Sequence, residues 1–81
     1  DKLKIFNDYI VKKNISPDNI LYMGDDNPDI DVLKIVKIST CPSDASSDVK
    51  EVCDYISDKK GGEGCVRDVI EQVMRIHNKW I

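Results

Sequence analysis

Long apolar runs, cysteine pairs and aromatic residues are scarce in this sequence, and each scarcity excludes a class of protein. No apolar stretch approaches the roughly 20 residues that a membrane span needs, so we expect no membrane segment. The three cysteines Cys41, Cys53 and Cys65 form no CxxC pair, which argues against both a zinc site and a disulfide framework. We therefore expect reduced thiols and a cytoplasmic protein.

The charge pattern does not favour nucleic-acid binding. Lys and Arg number 12 and Asp and Glu number 15, which gives a formal charge of −3 with mixed signs. No basic stripe is present, so we expect no nucleic-acid partner. The 81 residues correspond to one globular unit near the lower size limit for a self-sufficient core. Because the chain starts at Asp1 rather than Met, we expect it to be a piece of a longer protein.

Helical and strand patterns alternate along the chain. Leu3, Phe6 and Ile10 recur at helical spacing before Lys12-Lys13-Asn14. Short apolar or β-branched runs predict strands at 20–23, 36–40 and 54–57, and helices are predicted at 29–35 and 46–52. Ser46 or Ser47 is available as the N-cap of the latter helix. This order predicts an α/β fold, a parallel sheet with helices on both faces.

The last predicted helix follows Gly64 and has the strongest amphipathic pattern in the sequence. We interpret His77 as a partly buried surface residue beside its apolar stripe, and Tyr22, Tyr55 and Trp80 as packing residues. The stripe contains Val66, Val69, Ile70, Val73, Ile76 and Trp80.

An acidic segment follows the first predicted strand. The strand stops at Gly24, and Asp25 and Asp26 come next. Ligands of open parallel sheets bind beyond the carboxyl ends of the strands. Two adjacent carboxylates favour a cation, and hard oxygen ligands suit Mg²⁺. We attribute Gly24 to a sharp turn that keeps side chains away from the ion.

A simpler interpretation of the same segment remains open. Asp26 or Asn27 is a suitable cap for the next helix, with Pro28 at its first position. Lys2, taken alone, is most simply a solvated charge near a chain end.

The order of these motifs resembles the haloacid dehalogenase superfamily, and within it the small capless sugar-acid phosphatases. The resemblance covers essentially the whole chain. It rests on Lys2, Ser16-Pro17, Gly24-Asp25-Asp26-x-x-Asp29, Pro42-Ser43-Asp44-Ala45, Cys53-Asp54-Tyr55-Ile56 and Gly61-Gly62-x-Gly64-x-x-Arg67-Asp68.

The resemblance implies roles for individual residues. Lys2 matches the catalytic lysine that binds the transferring phosphoryl group, and Asp25 matches the carboxylate that ligates Mg²⁺. Asp26 matches a catalytic neighbour that supports the metal's water shell and the loop, and Asp29 occupies the last acidic place of the motif. A lysine and a magnesium ion supply the charge neutralisation that phosphoryl transfer needs.

The glycine stretch resembles a tail that helps to enclose a site at a subunit interface in tetrameric relatives. Gly61, Gly62, Gly64 and Arg67 are therefore weak candidates for substrate or interface contacts. The glycines alternatively end a strand and start a helix. Arg67 either binds a sugar-acid carboxylate or, as we slightly prefer, pairs with Asp68, Glu71 or a neighbouring subunit.

The implied function is magnesium-dependent hydrolysis of a phosphorylated ulosonic acid, such as 3-deoxy-D-manno-octulosonate 8-phosphate in lipopolysaccharide biosynthesis, by a homotetramer. Two departures from the pattern, Glu63 between the glycines and Ser46-Ser47 in place of His-Pro, leave nine-carbon ulosonic acid 9-phosphates as alternatives. A non-catalytic oligomerisation domain behind a sugar-nucleotide synthetase is the alternative from another class.

The nucleophile that the resemblance implies is not in these residues. Its Asp-x-Asp motif precedes the lysine in the family, and here only Asp1 precedes Lys2. Asp29-Ile30-Asp31 has the spacing but follows the metal loop. We therefore expect residues 1–81 to be the C-terminal half of one phosphatase domain, inactive by itself, with the attacking carboxylate in an upstream half.

Overall fold

The computed structural model describes the backbone of residues 1–76 and the side chains of residues 1–71. Helices and strands alternate in the predicted order. The helices are α1 (Lys2–Lys13), α2 (Ile30–Leu33), α3 (Ser47–Val52) and α4 (Cys65–Ile76), and the strands are β1 (Leu21–Met23), β2 (Ile38–Cys41) and β3 (Tyr55–Ile56). Short 3-10 turns cover Pro17–Asn19 and Asn27–Asp29. The predictions for His77 and Trp80, and for the side chains of Val73 and Ile76, lie outside the described residues.

The three strands form one parallel sheet in the order β1-β2-β3. Tyr22 is paired with Ser39, and Thr40 is paired with Tyr55. The parallel α/β architecture predicted from the alternating pattern is thus confirmed. β2 begins two residues later than predicted, because the Lys37 N–H donates to the carbonyls of the segment before β1 and keeps Lys37 in a bend.

Helices cover both faces of the sheet. Leu33 of α2 and Val49 of α3 pack against Cys41 in the main apolar cluster. On the opposite face, Cys65 of α4 contacts Met23, their sulfur atoms 3.7 Å apart. Successive strand residues point to opposite faces, so short strands suffice to contact both layers.

Side-chain caps fix where two helices begin. The Asp1 carboxylate accepts from the N–H groups of Leu3 and Lys4, which sets Lys2 in the first turn of α1. Ser46 Oγ accepts from the Val49 N–H, so the predicted N-cap of α3 is Ser46 rather than Ser47. These hydrogen bonds satisfy N–H groups that have no partner within the helix.

The outer edge of β1 has no strand beside it within residues 1–76. Bonds to β2 use Ile20 and Gly24, so the alternating pattern directs the backbone groups of Leu21 and Met23 away from β2. Leu21 is 38% exposed. Within the described residues, β1 therefore has an apolar edge that no other strand pairs with.

No helix within residues 1–76 is long and apolar enough to cross a membrane. Cys41 and Cys65 are buried free thiols, and Cys53 is a partly buried one. Burial raises the pKa of both Cys41 and Cys53, the latter to about 12, and the two thiols also interact with each other. The thiols of Cys41 and Cys53 are therefore protonated at neutral pH.

Candidate active site

The acidic segment lies beyond the carboxyl end of β1. The Gly24 N–H donates to Thr40 O at 3.0 Å, which is the last bond that ties the segment to β2. Asp25 follows this anchored glycine and is exposed. The position is the one that parallel sheets offer to ligands.

A single buried carboxylate organises the segment. Asp29 is 3% exposed, and its Oδ1 accepts from Lys2 Nζ at 2.9 Å and from the Tyr22 hydroxyl at 3.2 Å. Its Oδ2 accepts from the N–H of Asp25 at 3.0 Å and of Asp26 at 3.3 Å. Four donors thus converge on Asp29, which a buried carboxylate needs to remain charged. The loop is folded around Asp29.

The charges of Lys2 and Asp29 reinforce each other. Burial by itself raises the pKa of the Asp29 carboxyl, but hydrogen bonds from Lys2 and from the N–H groups of Asp25 and Asp26 outweigh burial and hold that pKa below its ordinary value. The hydrogen bond to Asp29 and the attraction of its charge raise the pKa of Lys2. Both groups are therefore ionised at neutral pH.

Close packing against Asp29 requires a glycine at position 24. Its backbone does not adopt the left-handed conformation, which among the described glycines only Gly62 and Gly64 adopt. A Cβ at Gly24 instead falls 2.6 Å from Asp29 Cβ and 2.9 Å from its Cγ. Gly24 is thus the space into which the Asp29 side chain packs, and the predicted clearance for an ion remains a prediction.

The capping interpretation of Asp26 describes real geometry. Its Oδ1 accepts from the Asn27 N–H at 2.8 Å, and it forms a capping box with Asp29 around the turn Asn27–Asp29. Pro28 occupies an early position of that turn. Asp26 supports the loop, as the resemblance implies, and its part in a metal's water shell remains a prediction.

Asp25 differs from its two acidic neighbours. Among the described residues its carboxylate has no hydrogen-bond partner, whereas those of Asp26 and Asp29 are both engaged. Within residues 1–71 no group of three or more His, Cys, Asp and Glu side chains converges on one point. One free carboxylate with room for water and a phosphate oxygen fits Mg²⁺, which rarely uses an all-protein cage.

Lys2 reaches this loop from 27 positions away in sequence. Its side chain is 51% exposed, so the ammonium contacts Asp29 on one side and solvent on the other. An ammonium has three N–H donors, and the bond to Asp29 uses one. Lys2 can therefore bind an anion without leaving Asp29.

Tyr22 belongs to the site although its sequence position indicated only packing. Its hydroxyl is the fourth donor to Asp29, and its ring lies edge-to-face against Phe6 with centroids 5.9 Å apart. Burial, followed by the charge of Asp29, raises the pKa of Tyr22. The only available signal was its alternation with Leu21 and Met23, which cannot reveal a hydroxyl partner.

The glycine stretch is brought to the same edge of the sheet. Gly61 and Asp25 line one cavity of about 250 Å³ together with Met23, Gly24, Pro42 and Cys65. Gly62 and Gly64 have φ of 81° and 90°, so the stretch is a turn that precedes α4.

Arg67 has an intrahelical partner. Its Nε donates to Glu71 Oε1 at 2.9 Å, one turn further along α4. The preferred expectation of ion pairing is confirmed for Glu71, and binding of a substrate carboxylate by Arg67 remains untested.

Comparison with known proteins agrees with this geometry. A family model described as haloacid dehalogenase-like hydrolase matches residues 1–70. The chain therefore belongs to the haloacid dehalogenase-like hydrolases.

Its relatives include sugar-acid phosphatases. The 3-deoxy-D-manno-octulosonate 8-phosphate phosphatase KdsC of Salmonella typhi is 34% identical over 79 residues, which are 98% of this chain and 42% of that protein. A crystal structure of the Yersinia pestis enzyme superposes with a TM-score of 0.88 at 29% identity, covering 98% of this chain and 43% of that one.

A third relative was crystallised with ligands. The corresponding phosphatase from Moraxella catarrhalis, solved in complex with magnesium ion, phosphate ion and KDO, has a TM-score of 0.86 and 31% identity. The match covers 93% of this chain and 43% of that chain. The chain thus spans less than half of the length of each of these three relatives.

Proposed function

We propose that this chain is the metal-and-lysine half of a magnesium-dependent phosphatase that hydrolyses a phosphorylated ulosonic acid. The observation that carries the proposal is the cluster at Asp29, which places the Lys2 ammonium and the free Asp25 carboxylate at one edge of the sheet. A phosphate monoester carries its negative charge on the terminal oxygens, and further negative charge develops on the bridging oxygen as its bond to phosphorus breaks. A fixed cation beside a metal ligand is the arrangement that stabilises its transfer.

In this proposal Lys2 holds the phosphoryl group. Its position is fixed by the cap at Asp1 and by the bond to Asp29, so little reorganisation is needed when an anion arrives. Asp26 acts through the loop, because its capping box with Asp29 fixes the backbone next to Asp25.

The Asp25 carboxylate would hold Mg²⁺ when the ion is bound, and the ion would neutralise charge on the transferring phosphoryl group. The attacking carboxylate, which would form an aspartyl-phosphate, comes from another part of the full-length protein in this proposal. The 81 residues alone are therefore expected to be inactive.

The substrate proposal follows the relatives that act on 3-deoxy-D-manno-octulosonate 8-phosphate. Glu63 and Ser46 mark where this chain departs from the pattern of that group. Nine-carbon ulosonic acid 9-phosphates are therefore tested beside the eight-carbon ester. We also expect a cytoplasmic homotetramer, as the resemblance implies.

The test is phosphate release by the full-length protein, with and without Mg²⁺, from eight- and nine-carbon ulosonic acid phosphates. We expect turnover of at least one ester that EDTA abolishes and Mg²⁺ restores. The variant Asp25→Asn is expected to be inactive while it folds like the parent. No turnover of any ulosonic acid phosphate, with a stable oligomer present, would favour the assembly-domain alternative.

A further inference from the structure

The loop at residues 42–46 connects the acidic segment to the glycine turn. On one side, the Ser46 N–H donates to Asp25 O at 3.0 Å, and Ser46 Oγ donates to Asn27 Oδ1 at 2.9 Å. On the other side, the Gly61 N–H donates to Asp44 Oδ1 at 2.9 Å. The loop therefore sets the separation between the acidic segment and the glycine turn.

A cavity lies between the acidic segment and the glycine turn, and their separation sets its width. The cavity of about 250 Å³ has Gly24 and Asp25 on the acidic segment, and Pro42 and Gly61 on the other two segments. Pockets that enclose a whole small molecule are usually larger, roughly 300–1,000 Å³. A ligand bound at Asp25 would therefore have only part of its body in this cavity, against Gly61.

The glycine turn depends on its two ends for its position. A Cβ built at Gly62 or at Gly64 meets no atom of the described residues within 4 Å, so the middle of the turn has no packing partner among them near either position. Its far end is fixed by Asp68 of α4, whose Oδ2 accepts from the hydroxyls of Tyr55 at 2.8 Å and Ser57 at 2.7 Å. Its near end is fixed by Asp44.

Among the described residues, Asp44 is the only side chain that bonds to the Gly61 backbone. Two residues earlier, the Lys59 carbonyl accepts from the Ser43 N–H at 2.9 Å, and the Lys59 N–H donates to Ser57 Oγ at 3.0 Å. The bond from Gly61 is charge-assisted because its acceptor is a carboxylate, which makes it stronger than a bond between neutral groups. Loss of this bond leaves the turn anchored by backbone at Lys59 and by Asp68, with Gly61 between them unheld.

We propose that Asp44 is a positioning residue for substrate specificity. Asp44 holds Gly61 on the side of the cavity opposite Asp25. In this position Gly61 contacts the sugar-acid part of the substrate and not its phosphate. The inference rests on the proposed function. It assigns a role to the Pro42-Ser43-Asp44-Ala45 motif, which the phosphoryl-transfer chemistry at Lys2 and Asp25 does not use.

The experiment compares two substrates in the full-length protein. In Asp44→Ala, KM for the ulosonic acid phosphate is expected to rise by about three- to tenfold, the change that one hydrogen bond typically produces. Its kcat is expected to change less, and hydrolysis of p-nitrophenyl phosphate, which has no sugar acid, is expected to stay within twofold of the parent. Asp44→Asn retains an Oδ1 acceptor and is expected to restore most of the lost affinity.

Hydrogen exchange gives a readout that does not depend on catalysis. Amide exchange of residues 60–64 is expected to become faster in Asp44→Ala and to remain near the parent rate in Asp44→Asn. Asp18→Ala is the matched control, since Asp18 is an exposed aspartate in the turn before β1, at the opposite end of the sheet.

Three outcomes overturn the inference. Unchanged exchange at residues 60–64 in Asp44→Ala shows that Asp44 does not hold the turn. An unchanged KM, or an equal loss with both substrates, shows that Gly61 does not contact the sugar acid. If the parent hydrolyses p-nitrophenyl phosphate but no ulosonic acid phosphate, the proposed function itself has failed, and the specificity role fails with it.

Discussion

Lys2 Nζ and Asp29 Oδ1 lie 2.9 Å apart, although a helix, a turn and a strand separate the two residues in sequence. The Asp29 side chain is 4% exposed and that of Lys2 is 51% exposed. The pair therefore joins a carboxylate in the interior to a cation at the surface. The carboxylate fixes the loop, and the cation faces the space where a phosphate ester would bind. Three properties of this site, the contact between Tyr55 and Asp68, and the behaviour of the isolated chain are testable.

The close packing of Gly24 against Asp29 predicts a costly substitution. In Gly24→Ala the new methyl group would lie 2.6 Å from Asp29 Cβ, so the Asp29 side chain has to move away from its four donors. We expect the free energy of unfolding of the full-length protein to fall by about 3 kcal/mol. Urea denaturation measures the change.

Gly61→Ala is the control for that substitution. A Cβ at Gly61 would lie 3.6 Å from Asp44 Oδ1, an ordinary contact, and Gly61 is not in the left-handed region. Its stability is expected to stay within about 0.5 kcal/mol of the parent. Equal losses in the two variants would contradict the packing explanation for Gly24.

The Tyr22 hydroxyl predicts a smaller effect. Tyr22→Phe removes one of the two donors to Asp29 Oδ1 and leaves the ring contact with Phe6 intact. We expect a loss of about 1 kcal/mol in unfolding free energy, the typical net contribution of a hydrogen bond. Tyr9→Phe is the control because Tyr9 is 55% exposed. An equal effect in both variants would show that the bond to Asp29 contributes nothing.

The free Asp25 carboxylate predicts loss of activity without loss of stability. Asp25→Asn should lower magnesium-dependent phosphate release by about 10²-fold or more, because it removes a charged metal ligand. The melting temperature should remain within a few degrees of the parent, since the fold uses the backbone of Asp25 and not its carboxylate. Isothermal titration with Mg²⁺ measures the binding directly. Unchanged Mg²⁺ affinity would remove Asp25 from the metal site.

The contact between Tyr55 and Asp68 predicts a dependence of stability on pH. Burial and the hydrogen bond to the Asp68 carboxylate raise the pKa of Tyr55 from 10.0 to about 12. A group whose pKa is raised by folding stabilises fully below its unfolded pKa and loses that effect as pH rises through the folded pKa. Tyr55 should therefore contribute fully below about pH 10 and less between about pH 10 and pH 12.

Tyr55→Phe isolates this contribution from those of other titrating groups. At pH 8 the parent should be more stable than the variant by about 1 kcal/mol. Urea denaturation at about pH 11 should show a smaller difference. A difference that grows with pH would contradict the assigned direction of the pKa change.

The open edge of β1 predicts the behaviour of the 81 residues in isolation. An unpaired apolar edge is a template for association, so we expect this piece to aggregate, to melt without cooperativity and to release no phosphate. Leu21→Lys, at the exposed start of β1, should delay aggregation measured by light scattering. A cooperative melt of the monomer at high temperature would contradict the expectation.

The sequence was sufficient to predict the order of helices and strands because their periods differ and turn residues separate them. The N-cap of α3 was narrowed to Ser46 or Ser47, of which the structure uses Ser46, and the acidic segment was correctly placed after β1. Each of these predictions depends on residues that are close in sequence. Strand ends were less accurate: the bend at Lys37 is held by bonds to a distant segment, and sequence patterns contain no such information.

Contacts between distant segments account for what could not be predicted from local pattern. The proximity of Lys2 to the acidic loop came from a family resemblance and not from any local signal. The fourth donor to Asp29 and the hold of Asp44 on Gly61 required coordinates, because both join side chains to groups many positions away. The packing of Asp29 against Gly24 was missed because a close approach and a special φ both select glycine, and the sequence cannot distinguish them.

Different aspartates stabilise the loop and present a metal ligand: Asp29 does the first, and Asp25 is proposed for the second. Inherited substitutions at the two positions should therefore have different effects. A substitution at Asp29 or Gly24 should reduce the amount of folded protein in a cell, and one at Asp25 should leave the amount unchanged while turnover is lost. Both kinds of variant would look alike in a growth assay. Protein abundance, measured beside growth, would separate the residues that build this site from the residue that operates in it.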